Sequence, residues 1–182
     1  MLKIFSGLVV FILSVNMAFS SPNDMATEWK QNLSELLESN STKQIGTAKF
    51  SVFIWDIYQS QLSTSSGNYP DPDGLIVYQI KYFKNIESKE LIKKTIEQWQ
   101  HLGIKSDRYT PYVKQLGNIW PDIEEGDQLA FIAKGDESAF YYNGYLVGSI
   151  DNQGFAEVFL SIWFSEKTSQ PELRDSLLGI KS

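Results

Sequence analysis

The chain has no cysteine among its 182 residues and a single histidine, His101. The first absence excludes a disulfide framework and a lipid-modified N-terminal cysteine, so stability has to come from packing. Both together argue against zinc, whose usual ligand sets draw on several Cys and His side chains. A Ser-His-Asp triad would have only His101 to work with, and a solvated imidazole at the end of a polar helix face explains that residue. Positive charge is also scarce: 16 Lys and Arg against 22 Asp and Glu give a formal charge of −6. Nucleic-acid binding, which leans on Lys and Arg against phosphate, is a poor fit. No glycine-rich phosphate loop is present. The acidic turns Asp71-Pro72-Asp73-Gly74 and Asp122-Ile123-Glu124-Glu125-Gly126-Asp127 lack the ligand ladder of a calcium loop and read as solvated turns. The sequence therefore implies no metal and no cofactor.

The one sustained apolar run lies at the start. Lys3 precedes an apolar stretch over residues 4–15, and Ala18-Phe19-Ser20 places small residues where a signal peptidase cuts. That stretch is about 12 residues, too short for the roughly 20 that cross a bilayer. Residues 1–20 are thus expected to be a cleaved secretory signal peptide, with the mature protein periplasmic and without a stable membrane anchor. Residues 21–182 are then one domain, long enough for a proper core. Aromatic residues make up 14% of the chain, which predicts a core or pocket built from large flat side chains.

Hydrophobic periodicity divides that domain. Residues 24–38 carry Trp29, Leu33, Leu36 and Leu37 at helical spacing. Residues 49–62 read as one long strand with apolar residues on both faces, hence central in a sheet. Residues 75–83 alternate as a strand with one wetter side. Ser88 is placed to cap a helix over residues 89–102, and Thr110-Pro111 to open another that ends before Pro121. Residues 127–133, 138–142 and 145–150 form three short strands, the last two joined by the tight turn Asn143-Gly144. Asp151 is placed to cap a helix through Phe164, and Ser169-Gln170-Pro171 opens a last helix closed by Gly179. Helix, strands, helices, meander and helices in that order predict an α+β fold, an antiparallel sheet with helices on one face.

Four groups of residues recur in an order and spacing that resemble the bacterial chalcone isomerase-like family. They are Phe53-Ile54-Trp55-Asp56-Ile57-Tyr58; Trp120-Pro121-Asp122-Ile123 with Gly126-Asp127; Tyr142-Asn143-Gly144 with Gly148 and Ile150-Asp151; and Trp163 followed by Ser169-Gln170-Pro171-Glu172-Leu173-Arg174. The resemblance spans residues 45–179. It implies an open-faced β-sandwich, with a large antiparallel sheet covered on one side by helices and room between them for the ligand cavity that members of the family can carry. Within that fold, plant chalcone isomerases close a flavanone ring, and fatty-acid-binding relatives do no chemistry. Both place an Arg on the first long strand. The corresponding slot here falls at Lys49 or Phe50. The enzymes also present a hydroxyl-bearing residue where this chain has Ile162, followed by Trp163. These departures favour binding over ring closure.

The expected ligand site is Lys49, Phe50, Trp55, Tyr112, Ile162 and Trp163. Lys49 is either an anion contact, as a point charge rather than a bidentate fork, or a strand-end lysine reaching solvent. Tyr112 lines a pocket mouth or covers a core edge with its hydroxyl in water. Asp56, a lone acid in an apolar run, is the one candidate catalytic residue. If it is buried, desolvation raises its pKa and suits proton transfer; otherwise it accepts structural hydrogen bonds. The expected function is non-catalytic binding of a small apolar or fatty-acid-like, possibly anionic, ligand. Two alternatives stand beside it: a periplasmic accessory or interaction subunit with an unnamed protein partner, and an isomerase or lyase of unknown substrate.

Overall fold

The computed structural model describes residues 29–180. The expected signal peptide, residues 1–20, lies outside the described residues, as does the start of the first expected helix. The first described helix is α1, Leu33–Ser39. Six strands follow: β1 (Lys43–Val52), β2 (Trp55–Thr64), β3 (Ile76–Tyr82), β4 (Gln128–Lys134), β5 (Glu137–Tyr142) and β6 (Tyr145–Ser149). They form one antiparallel sheet in sequence order, each strand paired with the next. Helices α2 (Ser88–His101) and α3 (Ser106–Ile119) are inserted between β3 and β4, and α4 (Phe155–Phe164) and α5 (Pro171–Leu177) follow β6. The α+β class and the helix-covered antiparallel sheet are as the sequence implied.

Alternation sorts the sheet's side chains between two cores. Tyr78, Ile80, Tyr82, Leu129, Phe131 and Phe140 point to the face covered by α2 to α5. Val77, Ala130, Ile132, Ala139 and Tyr141 point the other way and bury Leu33 and Leu36 of α1. The second face is therefore not bare: a seven-residue helix caps part of it, and the Tyr141 hydroxyl donates to the Lys30 carbonyl at 2.8 Å. At the sheet's edge, α5 lies so close on β1 that a Cβ on Gly46 would stand 2.2 Å from the Ser176 carbonyl oxygen. Only glycine permits that approach.

The largest correction concerns residues 49–62, which are not one strand. The chain turns back at Phe53-Ile54, so the segment is a hairpin made by the end of β1 and most of β2. Apolar residues on both faces suggested a central strand, whereas here they extend past the sheet into a tip. Phe53 sits at φ 54°, a left-handed conformation that non-glycine residues adopt at a cost of order 1–2 kcal/mol. No Gly or Asn signalled the turn. The true hairpin signal, Asn143-Gly144, works as expected, with both residues at positive φ.

Helix starts also moved. Helix α2 includes Ser88 as its first residue, and the Ser88 amide donates to Asp122 Oδ1 at 2.8 Å. Helix α3 begins at Ser106, before Thr110, and carries Pro111 inside. Gly154, at φ 82°, stands at the N-cap of α4 where Asp151 was expected.

Candidate functional site

The layer between the sheet and α2–α5 is not filled evenly. Above β4 and β5 it is a lattice of rings: Phe131–Phe140 at 5.0 Å, Phe131–Phe159 at 4.7 Å, Phe155–Phe159 at 5.7 Å and Tyr112–Phe155 at 4.7 Å between centroids. Above β2 and β3 it opens into a cavity of about 230 Å³. The sheet supplies Ile57, Tyr58, Ile80, Tyr82 and Leu129 to its wall, and Phe50 closes the β1 side. Helix α4 supplies Phe159, Ile162 and Trp163, while α2 supplies Leu91, Thr95 and, toward the surface, Lys94 and Gln98. The connection from α4 to α5 completes the rim with Thr168, Ser169 and Gln170.

Most polar groups of that wall are engaged. Trp163 Nε1 donates to the Tyr58 hydroxyl at 3.1 Å. Thr95 Oγ1 donates to the Leu91 carbonyl and Thr168 Oγ1 to the Ile162 carbonyl. Ser169 Oγ donates to Gln98 Oε1 at 2.7 Å, tying the rim of α2 to the α4–α5 connection. Burial pushes the Tyr58 phenol up to about 12, with the Trp163 bond opposing it. Burial and the neighbouring Tyr58 raise Tyr82 as well. Both phenols are thus neutral at ordinary pH. Among the described residues no carboxylate, histidine or arginine belongs to the wall, and its one cation there, Lys94, is solvent-exposed and holds Glu97 at 2.7 Å. Among the described residues no cluster of His, Cys, Asp and Glu could hold a metal ion.

The structure brings together three of the residues singled out from sequence: Phe50, Ile162 and Trp163 all face the cavity. It places the other three elsewhere. Lys49 alternates to the opposite side of β1 from Phe50 and pairs with Asp56 at 2.8 Å, its charge held on the outer face of the hairpin. Trp55 lies near the hairpin tip, 57% exposed, with Lys84 Nζ 4.6 Å from its ring centroid. Tyr112 belongs to the packed end, where its hydroxyl donates to Asn152 Oδ1 at 2.8 Å. Asp56 fails the condition set for an acid–base role. It is exposed, and the hydrogen bonds from Lys49 and Ser51 hold its carboxyl below the ordinary value. Of the cavity's polar residues, Tyr58 and Ser169 stood in the family's motifs and Tyr82 in the alternation of residues 75–83, none of them assigned to a site, and Gln98 carried no sequence signal.

A family model described as chalcone isomerase-like matches residues 46–179. An uncharacterized protein of Haemophilus influenzae is 24% identical over 135 residues, covering 74% of this chain and 67% of its own. Among solved structures, a fatty-acid binding protein of Arabidopsis thaliana superposes with a TM-score of 0.59 at 11% identity, over 76% of this chain and 87% of that one. At that identity the likeness is one of fold.

Proposed function

We propose that this chain, which belongs to the chalcone isomerase-like family, is a non-catalytic carrier of a small apolar ligand with a polar end, of the fatty-acid class. The observation that carries this reading is the cavity: about 230 Å³, walled mostly by aliphatic and aromatic side chains and neutral phenols, with Lys94 at its rim and, among the described residues, no carboxylate, histidine or metal cluster inside. Its size is below the roughly 300 Å³ at which sites for drug-sized ligands begin, and concave apolar walls with a few polar groups are the general form of such sites. A short or medium acyl chain fits better than a fused-ring polyphenol. The acyl chain would lie between Phe50, Ile80, Phe159 and Trp163. Its carboxylate would face the rim, where Lys94 and Gln98 meet solvent. The fatty-acid binding structural neighbour supports the same class. Ring-closing chemistry has no support in the wall, because the carboxylate with a candidate role, Asp56, lies outside it. The export signal read from residues 1–20 makes this a periplasmic carrier in our proposal, and an intact mass lacking those residues would test that part alone.

Native mass spectrometry of the protein purified from its own cells tests the reading. A discrete adduct of fatty-acid mass, lost on denaturation, is the expected result. A bare protein mass that stays bare after addition of decanoate would overturn it.

A further inference from the structure

The hairpin tip between β1 and β2 is the one place where the described chain exposes consecutive large apolar side chains. Phe53 is 97% exposed, Ile54 87%, Trp55 57% and Val52 42%. Elsewhere the exposed large hydrophobics, Tyr145 and Ile180, stand singly, which is ordinary for a protein surface. Phe53 and Ile54 touch almost nothing of their own chain, so they project from the fold as a wedge. A stability-driven sequence would place Gly or Asn at the positive φ of residue 53; this one places a phenylalanine there.

We propose that this tip is a lipid-surface docking element, inserting Phe53, Ile54 and Trp55 into the outer part of a bilayer. Two observations favour a lipid surface over a protein partner. The wedge is convex and bulky, which a fluid acyl layer accommodates without a matching pocket, whereas protein interfaces anchor such side chains in preformed ones. The Lys84 ammonium lies against the Trp55 ring, and Lys49 stands further back on β1. An aromatic ring with a lysine beside it suits the boundary where acyl chains meet phosphates.

The charge of the molecule sets the kind of membrane. The chain is acidic overall. The Asp127 carbonyl accepts the Tyr82 amide and the Ile57 carbonyl accepts the Phe83 amide, so the acidic turn of residues 122–127 lies at the same end of the sheet as the tip. Attachment therefore rests on apolar insertion, and zwitterionic lipid is the fitting surface. Docking here does not depend on what the cavity binds.

With no native cysteine in the chain, a polarity-sensitive fluorophore on Ile54→Cys reports the tip alone. Asp136→Cys, in the turn between β4 and β5 at the opposite end of the sheet, is the control. On addition of phosphatidylcholine vesicles the label at 54 shifts to the blue and is quenched by brominated lipid, while the label at 136 does neither. Replacing part of the lipid with phosphatidylglycerol gives no gain. In an otherwise native chain, Phe53→Asn with Ile54→Asn lowers vesicle partitioning at least about tenfold, the scale expected from removing two inserted apolar side chains. Asn tolerates the left-handed turn, so unchanged thermal unfolding would show that the fold is intact. Equal responses at the two labels, or none at 54, would overturn the proposal. So would a label at 54 that is already blue-shifted without vesicles, which would mean that protein covers the tip.

Discussion

Two halves of one layer share the same sheet, the same helices and the same residue types, yet one is solid and the other hollow. Over β4 and β5, α4 lays down Phe155 and Phe159 against Phe131 and Phe140, and Trp120 closes the group at 5.6 Å from Phe140. Over β2 and β3, the same helix has moved on to Ile162 and Trp163, and α2 faces the sheet with Leu91 and Thr95. Ring on ring fills the first half, whereas in the second Leu91, Thr95 and Ile162 of the helices stand across from Ile57, Tyr58, Ile80 and Tyr82 and leave a space beside Trp163. The difference teaches that a binding cavity in this fold is a matter of which side chains oppose each other, not of how apolar the layer is.

The sharpest way to break this comparison is in the solid half. Phe155 is fully buried against Tyr112, Phe131, Phe140 and Phe159. Phe155→Ala should cost about 3–5 kcal/mol of unfolding free energy, measured by urea denaturation. Next comes the same kind of small-to-large change made in both halves. Leu116→Phe, at a fully buried position on α3, should lose about 1–3 kcal/mol through overpacking. Ile80→Phe points into the cavity and should change stability by less than about 1 kcal/mol while removing the space for ligand. Equal destabilisation by the two would mean that the cavity does not persist in solution.

A smaller effect lies at the turn beyond the solid half. The Asp127 carboxylate accepts from the Tyr142 hydroxyl, from Asn143 Nδ2 and from the Glu124 amide, and these bonds hold its carboxyl below the ordinary value of 3.8, Tyr142 contributing most. A carboxyl depressed in the folded state contributes stability above its unfolded pKa and loses it as pH falls through the folded one. Asp127→Asn should therefore be less stable than wild type at neutral pH, by under about 1 kcal/mol for so exposed a group. The gap should narrow as pH falls below about 4, read from melting temperatures across pH. The smallest effect is at the hairpin: Lys49→Ala should leave ligand affinity unchanged, because its charge sits on the far side of β1 from the cavity. A several-fold loss in a binding titration would return Lys49 to the site.

Much of this was legible in the sequence where local rules act alone. Asn143-Gly144 announced its hairpin, Pro121 the end of α3, and alternation through Tyr78, Ile80 and Tyr82 the inner face of β3. The β1–β2 hairpin was not legible, because its tip uses Phe53-Ile54 in place of turn residues and apolar content was read as burial. Lys49 entered the expected site through the family's slot at Lys49 or Phe50, and alternation turns it away from the cavity, while Trp55 lies at the tip that the unsignalled turn creates. Phe50, Ile162 and Trp163, taken from the family's pattern, face the cavity. The family's pattern implied a cavity in this layer, but not which part of the layer is open, because that depends on Thr95 and Gln98 of α2 lying across from Tyr58 and Tyr82, which no periodicity encodes.

Calorimetric titration of decanoate into the wild-type chain and into Ile80→Phe tests the cavity directly. Saturable binding at one site by the wild type and none by the equally folded variant is the predicted result. Binding of the same strength by both, or by neither, would contradict the account.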